Sequence, residues 1–496
     1  VNDVPHIGHA YTTLAADIIA RFMRLDGIKV KFLTGTDEHG QKVEKSAEAA
    51  GLSPQEFTDK VSARFQELNR AMNFSCDDFI RTTQTRHIKS AQAFWKILEA
   101  KGEIYQSTYK GWYSIRDEAF YAEKELVNGK APTGADVEWV EEPSYFFRLS
   151  KWQEPLLQYY KDHPDFIGPD SRRNEVIRFV EGGLKDLSIS RSTFKWGVLV
   201  PGNESHVMYV WIEALTNYIT ALGYPEVENE EFKTFWPTAI HLVGKDIIRF
   251  HAVYWPALLM AAGLTPPKRI FAHGWWTNEG EKISKSLGNV IDPYRLIEEF
   301  GVDPVRYFLM REVPFGLDGD FSRAALIQRI NSDLSNDLGN LVQRVLSFVY
   351  KNNGAQIPTF GDFTTNDQVI LKASTELLAK LRKDIQGQAL HKVCEALWEV
   401  VSKANRYIDT EQPWSLKKTD PERMKTVLYV LVEVIRHIGI LLAPLMPDSA
   451  DKILTQLSVP KDQRLFKHIQ EDPLKPGIVI SQPQGVFPRF METQEK

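Results

Sequence analysis

Apolar residues at Leu14, Ile18 and Phe22, with Ala15, Ile19 and Met23 beside them, recur every four positions and predict a helix that ends at Gly27. Residues 29–33 then read as a short strand running into Thr34-Gly35-Thr36-Asp37-Glu38-His39-Gly40. The following helix closes at Gly51, and Ser53-Pro54-Gln55-Glu56 opens another as a capping box with proline at the first helical position. A strand over 79–82 and a helix over 85–100, stopped by Gly102, continue the alternation. Strand and helix in turn are half of a doubly wound parallel-sheet fold, whose ligands lie at the carboxyl ends of its strands.

The texture changes over 104–206 to β-prone aromatic residues (Tyr109, Trp112, Tyr113, Phe120, Tyr121) with a turn at Asn128-Gly129, which predicts an inserted, partly β domain. The α/β pattern resumes with a helix over 210–222, a strand over 239–243, Gly244-Lys245-Asp246, and a helix over 247–262 that Asp246 is placed to cap. A last strand over 269–272 precedes the polar loop 277–289, and Asp292-Pro293 and Asp303-Pro304 are two further N-cap pairs. From Leu326 the pattern is helical: Leu326, Ile330, Leu334, Leu338, Leu341, Val342, Val345 and Val349 form one stripe, repeated over 427–442. A separate helical bundle follows from this. The divisions are 1–103, 104–206, 207–275, 276–325, 326–458 and a proline-punctuated tail over 459–496.

Composition narrows the class without naming an activity. A chain of 496 residues exceeds one core, so two to four domains are expected. A net charge of −5 excludes a strongly basic surface but leaves room for a local basic stripe. Cys76 and Cys394 stand far apart, which excludes a disulfide framework and any thiolate zinc site and fits a reducing cytoplasmic setting. No apolar run is long enough to span a bilayer, so no membrane partner is expected.

Two stretches carry candidate chemistry. Pro5-His6-Ile7-Gly8-His9 stands at the N-terminus of the first helix, where unpaired backbone N–H groups and the helix dipole favour a phosphate, and Gly8 permits close approach. Lys282-Ile283-Ser284-Lys285-Ser286 places two cations and two hydroxyls in a loop kept mobile by Gly288. Alone, the first is two polar residues at a helix start and the second a solvated surface loop. Together and in this order, one at the first helix and one after the last strand of an α/β fold, they resemble the paired signatures of class I aminoacyl-tRNA synthetases.

Four further motifs, Gly35-Thr36-Asp37-Glu38-His39-Gly40, Tyr209-Val210-Trp211-Ile212-Glu213-Ala214, Gly244-Lys245-Asp246-Ile247-Ile248-Arg249-Phe250-His251 and Trp255-Pro256, look like the methionyl-tRNA synthetase family from end to end. The resemblance implies a Rossmann-like catalytic domain with a partly β insertion, followed by an all-α anticodon-binding domain. It implies ATP-phosphate contacts at His6, Gly8, His9, Lys282, Ser284 and Lys285, with His6, His9, Lys282 and Lys285 catalytic. Gly244 and Asp246 are implied on the nucleotide, Asp246 at the ribose. Asp37 is implied on the methionine ammonium, and Trp211, Tyr218, His251 and Trp255 around its side chain. Aromatic rings suit a polarizable thioether, and His251 and Trp255 share a helix face at i and i+4, although the same spacing serves an ordinary core.

By the same resemblance Asn340, Arg344 and Trp414 read the anticodon, the ordinary mode for splayed single-stranded bases. Without it, Asn336, Asn340 and Arg344 form a solvated polar face and Trp414 is a core residue. Many relatives bind zinc through Cys-x-x-Cys pairs in the insertion, but the corresponding place reads Tyr113-Ser114-Ile115-Arg116-Asp117-Glu118, so no zinc is expected and no other protein-bound metal is assigned. The insertion is also too short for a large editing domain. The expected protein is a monomeric methionine–tRNA ligase using ATP with Mg2+, L-methionine and tRNA(Met). Its alternatives are another class I synthetase of the same subgroup, a stand-alone nucleotidyltransferase, or a silent RNA-binding relative. Only Val1-Asn2-Asp3-Val4 precede the histidine turn, whereas a doubly wound fold sets a strand there. That strand, the natural N-terminus and some pocket residues are therefore expected upstream.

Overall fold

The computed structural model describes residues 3–117, 119–283 and 288–491, which form two compact units. The first comprises Val1–Pro5, Lys31–Arg70 and Cys76–His273, the second His6–Val30, Ala71–Ser75 and Gly274–Lys496. Among the described residues no helix is long and apolar enough to cross a membrane.

In the first unit, strands Leu33–Thr36 and Asp78–Arg81 pair in parallel, and Arg269–His273 lies in parallel between Ile240–Gly244 and Ile167–Gly168. Helices Gln41–Ala49, Thr85–Ala100, Val210–Thr220 and Trp255–Ala262 complete the α/β alternation. One core cluster, including Phe94, Trp95, Phe147, Tyr160 and Trp255, joins this sheet region to the insertion. The first strand begins at Leu33, where the sequence pattern set its end. Its partner starts only at Asp78, and the Asp77 carboxylate accepts from the Phe32 backbone N–H at 2.7 Å, so residues before Phe32 have no ladder to join.

The stretch predicted as an insertion contains a four-stranded antiparallel sheet in the order Ala119–Tyr121, Ile104–Ser114, Glu138–Phe147, Leu187–Ser188, but its strand Ile167–Gly168 returns to the parallel sheet beside Arg269–His273. Asn128 and Gly129 both take positive φ (53° and 74°) in the predicted turn. The strand Asn203–Met208 then delivers Tyr209 to the helix Val210–Thr220.

The helix expected over 247–262 is not one regular element. A 3-10 turn Lys245–Ile247 contains Asp246, which therefore does not cap the helix from outside. A π-helical turn Phe250–Tyr254 follows, and a regular α-helix runs only over Trp255–Ala262.

In the second unit the apolar stripe is buried from Leu326 to Val349 along one continuous rod: helix Arg323–Arg329, a π-helical stretch Ile330–Gly339, and helix Asn340–Asn352. It packs in a bundle with Thr365–Gln386, Leu390–Glu411 and Pro421–Leu442, the last buried almost all round. Asp292 caps Pro293–Phe300, accepting from the Tyr294 N–H. Asp303 is not the cap the sequence suggests, for the helix Val302–Arg311 starts before it, and its carboxylate instead accepts from the Ser449 N–H at 2.6 Å.

The first helix, Ile7–Leu25, belongs to this second unit. Arg306, fully buried, explains why. Its guanidinium donates to Asp17 at 2.7 Å and to the carbonyls of Met72, Pro444 and Leu445 at 2.9 to 3.1 Å. Arg306 thus ties the first helix and the 71–75 segment to the end of the bundle, and Phe22 packs on Phe466 with ring centroids 4.7 Å apart.

Candidate functional site

The two histidines of the first turn build the cap of their own helix. His6 is the N-cap residue and its Nδ1 accepts from the Gly8 N–H at 3.0 Å, while His9 Nδ1 accepts from the His6 N–H at 3.1 Å. An imidazole whose Nδ1 accepts carries its proton on Nε2, so each ring presents an N–H as a donor. Burial, reinforced by the neighbouring His6, lowers the His9 pKa to about 3, so that donor is neutral. A Cβ on Gly8 would stand 2.9 Å from His6 Cε1, so the tilted ring pair of His6 and His9, with centroids 3.9 Å apart, favours glycine there.

Lys282 lies in the same unit, exposed on the hairpin Trp276–Asn278 and Glu281–Lys282. Tyr11 of the histidine helix meets Trp276 of that hairpin edge-on at 5.4 Å, and Asn289 Nδ2 donates to the Lys282 carbonyl at 3.1 Å. Ser284 and Lys285 lie outside the described residues.

Asp37, Trp211, Tyr218, Gly244, Asp246, His251 and Trp255 all fall in the first unit. His251 Nδ1 lies 3.0 Å from the Ile247 carbonyl, which makes it the donor there and leaves Nε2 to accept from the Tyr218 hydroxyl at 2.7 Å. Burial lowers His251 to about 4, so the ring is neutral, and burial together with the Asp37 charge raises the Tyr218 phenol. Tyr218 lies 6.3 Å from the Trp255 ring, and Trp255 is fully buried. Trp211 stacks flat on Phe250, 3.7 Å between centroids. At the carboxyl end of Ile240–Gly244, Asp246 folds back so closely that a Cβ on Gly244 would lie 2.4 Å from its Oδ1.

The loop carrying Asp37 is held from both following residues. Glu38 accepts from Arg81 at 2.7 and 3.0 Å and from the Thr36 and Thr83 hydroxyls. His39 Nδ1 lies 2.7 Å from Glu213, two residues beyond Trp211. Burial opposes charge on both partners, but their pairing wins: Glu213 is held down to about 2 and His39 is raised. This ion pair fixes the Asp37 loop against the Trp211 helix.

Within the second unit, Arg344 donates to Asp409 at 3.0 Å, and its guanidinium lies 5.6 Å from the Trp414 ring. Trp414 is 41% exposed, which removes the core reading, and Asn340 is exposed one turn before Arg344. Sequence reasoning missed Phe250, His241 and the His39–Glu213 pair. Phe250 and His241 adjoin or belong to motif-bearing elements and were legible as candidates, whereas the ion pair spans 174 positions and left no local signal.

Comparison with known proteins now places the chain. Residues 1–138 and 125–346 match the family model of class I tRNA synthetases (M), so the parallel sheet, the histidine turn and the Lys282 loop define a class I aminoacyl-tRNA synthetase. Residues 357–496 match the anticodon binding domain of methionyl tRNA ligase. The chain belongs to the methionine–tRNA ligase family. It is 58% identical to the Rickettsia conorii enzyme over 99% of this chain and 97% of that one, and 54% identical to that of Mesorhizobium japonicum over 99% and 96%. Its structure is similar to Mycobacterium tuberculosis methionyl-tRNA synthetase in complex with methionyl-adenylate, with a TM-score of 0.96 and 51% identity over 98% of this chain and 97% of that one.

Proposed function

We propose that this chain activates L-methionine with ATP and then esterifies tRNA(Met). The observation that carries this is the packed aromatic cluster of Tyr218, His251 and Trp255 in a chain similar nearly end to end to a synthetase solved with methionyl-adenylate. A methionine carboxylate oxygen attacks the α-phosphorus and the bond to pyrophosphate breaks. The terminal ribose hydroxyl of the tRNA then attacks the activated carbonyl and AMP leaves. No protein nucleophile takes part, so positioning and charge stabilisation supply the acceleration.

In this reading the neutral Nε2–H groups of His6 and His9 donate to phosphate oxygens, with the Gly8 turn beneath them, and Lys282, Ser284 and Lys285 bring charge and hydroxyl to the leaving pyrophosphate. Asp37 holds the ammonium, Gly244 lies on the nucleotide with Asp246 at its ribose, and Trp211, Tyr218, His251 and Trp255 surround the side chain. Asn340, Arg344 and Trp414 read and stack the anticodon. The stretch 104–206 is the connective insertion, 276–325 the loop and stem-contact region, and 326–458 the anticodon-binding domain, on a catalytic domain of 1–103 and 207–275.

Mg2+ arrives with the nucleotide. No zinc is assigned to the stretch around Ser114 and Asp117, where the Asp117 carboxylate accepts from the Tyr121 hydroxyl at 3.0 Å, the Thr133 hydroxyl and Arg116. The protein works as a cytoplasmic monomer. ATP–pyrophosphate exchange measured across the amino acids tests the reading: exchange that depends on methionine is expected, and exchange indifferent to methionine overturns it.

A further inference from the structure

His241 stands on the strand Ile240–Gly244 and has no role in the assignments above. It is 6% exposed, and four aromatic side chains converge on it. Its ring stacks on Tyr218 with centroids 4.0 Å apart and planes inclined by 22°. Its Nε2 accepts the indole N–H of Trp255 at 3.2 Å. It also meets His251 edge-on at 6.3 Å and Trp236 at 5.9 Å. His241 therefore touches three of the four residues assigned to the methionine side chain.

Leaving a buried indole N–H without an acceptor costs stability, and Trp255 finds its acceptor in His241. Because Nε2 accepts, the proton of His241 sits on Nδ1. Burial lowers His241 to about 3, the nearby His251 adds to this, and a hydrogen bond to the Ile240 backbone opposes it, so the ring stays neutral and Nε2 remains able to accept. The bond fixes the rotation of the indole, while the stacked imidazole fixes the height of the Tyr218 ring.

We propose that His241 is a positioning residue for amino-acid specificity, setting the Trp255 and Tyr218 rings so that the cavity matches an unbranched thioether chain. This rests on the assignment of Tyr218, His251 and Trp255 to methionine. The neutral acceptor is the essential part, since a flat ring without it still stacks.

The test uses the full chain and pyrophosphate exchange with methionine, norleucine and ATP titrated separately. His241→Phe keeps the stack and removes the acceptor. It is expected to raise the methionine KM roughly tenfold, the order set by a buried donor losing its partner, with kcat and the ATP KM held, and to narrow the preference for methionine over norleucine. His241→Gln, which restores an acceptor, is expected to recover most of the loss. Trp255→Phe removes the donor, so the double variant His241→Phe/Trp255→Phe should be no worse than Trp255→Phe alone. Parallel loss of kcat and both KM values, no rescue by Gln, or simple additivity in the double variant overturns the positioning role. An unchanged methionine KM in Trp255→Phe would instead remove the pocket assignment, and the inference with it.

Discussion

The Tyr218 hydroxyl donates to His251 Nε2 across 2.7 Å, and the opposite nitrogen of that ring is committed to the Ile247 carbonyl. The tautomer of His251 is thereby set by main chain, and the direction of the Tyr218 proton follows from it. Tyr218→Phe removes that donor and leaves a buried acceptor unpaired. The methionine KM in pyrophosphate exchange should rise by roughly one order of magnitude, with the ATP KM unchanged.

Lys285→Ala should lower kcat for adenylate formation by about two to three orders of magnitude and leave the methionine KM nearly as it was. In the proposed role its contact to the departing pyrophosphate strengthens only in the transition state. Single-turnover adenylate formation reads this directly, and an unchanged rate removes Lys285 from the catalytic set.

Arg344 and the exposed Trp414 form one surface within the bundle. Trp414→Ala should spare pyrophosphate exchange and reduce tRNA charging by about ten- to a hundredfold, the effect of losing one base stacked on an aromatic ring. Equal loss in both assays would show a structural role.

The Glu213–His39 pair makes stability depend on pH in a fixed direction. Glu213 is depressed from 4.5 to about 2, so its contribution is present above pH 4.5 and lost as pH falls toward 2. His39 is raised above 6.5, so its contribution is complete below pH 6.5 and lost as pH rises through its folded value. The gap in denaturation midpoint between the protein and Glu213→Gln should therefore be widest between pH 4.5 and 6.5 and shrink on both sides. A pH-independent gap would mean the pair is not ionised.

Arg306→Met should destabilise the second unit by about 1 to 3 kcal/mol, because the buried carbonyls of Met72, Pro444 and Leu445 lose their donor while Asp17 loses one cationic partner and keeps Arg21. Chemical denaturation followed by tryptophan fluorescence measures this, and Asp17→Asn, which also weakens the pair with Arg21, should cost less in the Arg306→Met background than in the parent protein.

The histidine turn, the capping box at Ser53 and the stripe from Leu326 to Val349 were all legible along the chain, because a cap needs four residues and a helical face needs only its own period. The Asn128-Gly129 turn was legible for the same reason, glycine and asparagine being the residues that accept positive φ. The sequence also placed Arg344 and Trp414 in one functional group through family resemblance, and the structure adds that they are neighbours.

What the sequence by itself determined, then, is the local grammar of this protein: where helices start, which faces are apolar, and which short motifs carry donors and charges. Tertiary structure alone decided the rest. It moved the first strand to Leu33 because Asp78 is where its partner begins. It broke the helix after Gly244 into 3-10, π and α turns, and it made Asp303 a buried acceptor for Ser449 rather than a cap. It also drew the histidine helix into the unit of the bundle through Arg306 and Asp17, 289 positions apart. Pairings of that span are selected by burial and by the need to satisfy buried polar groups, which no period or motif along the chain records.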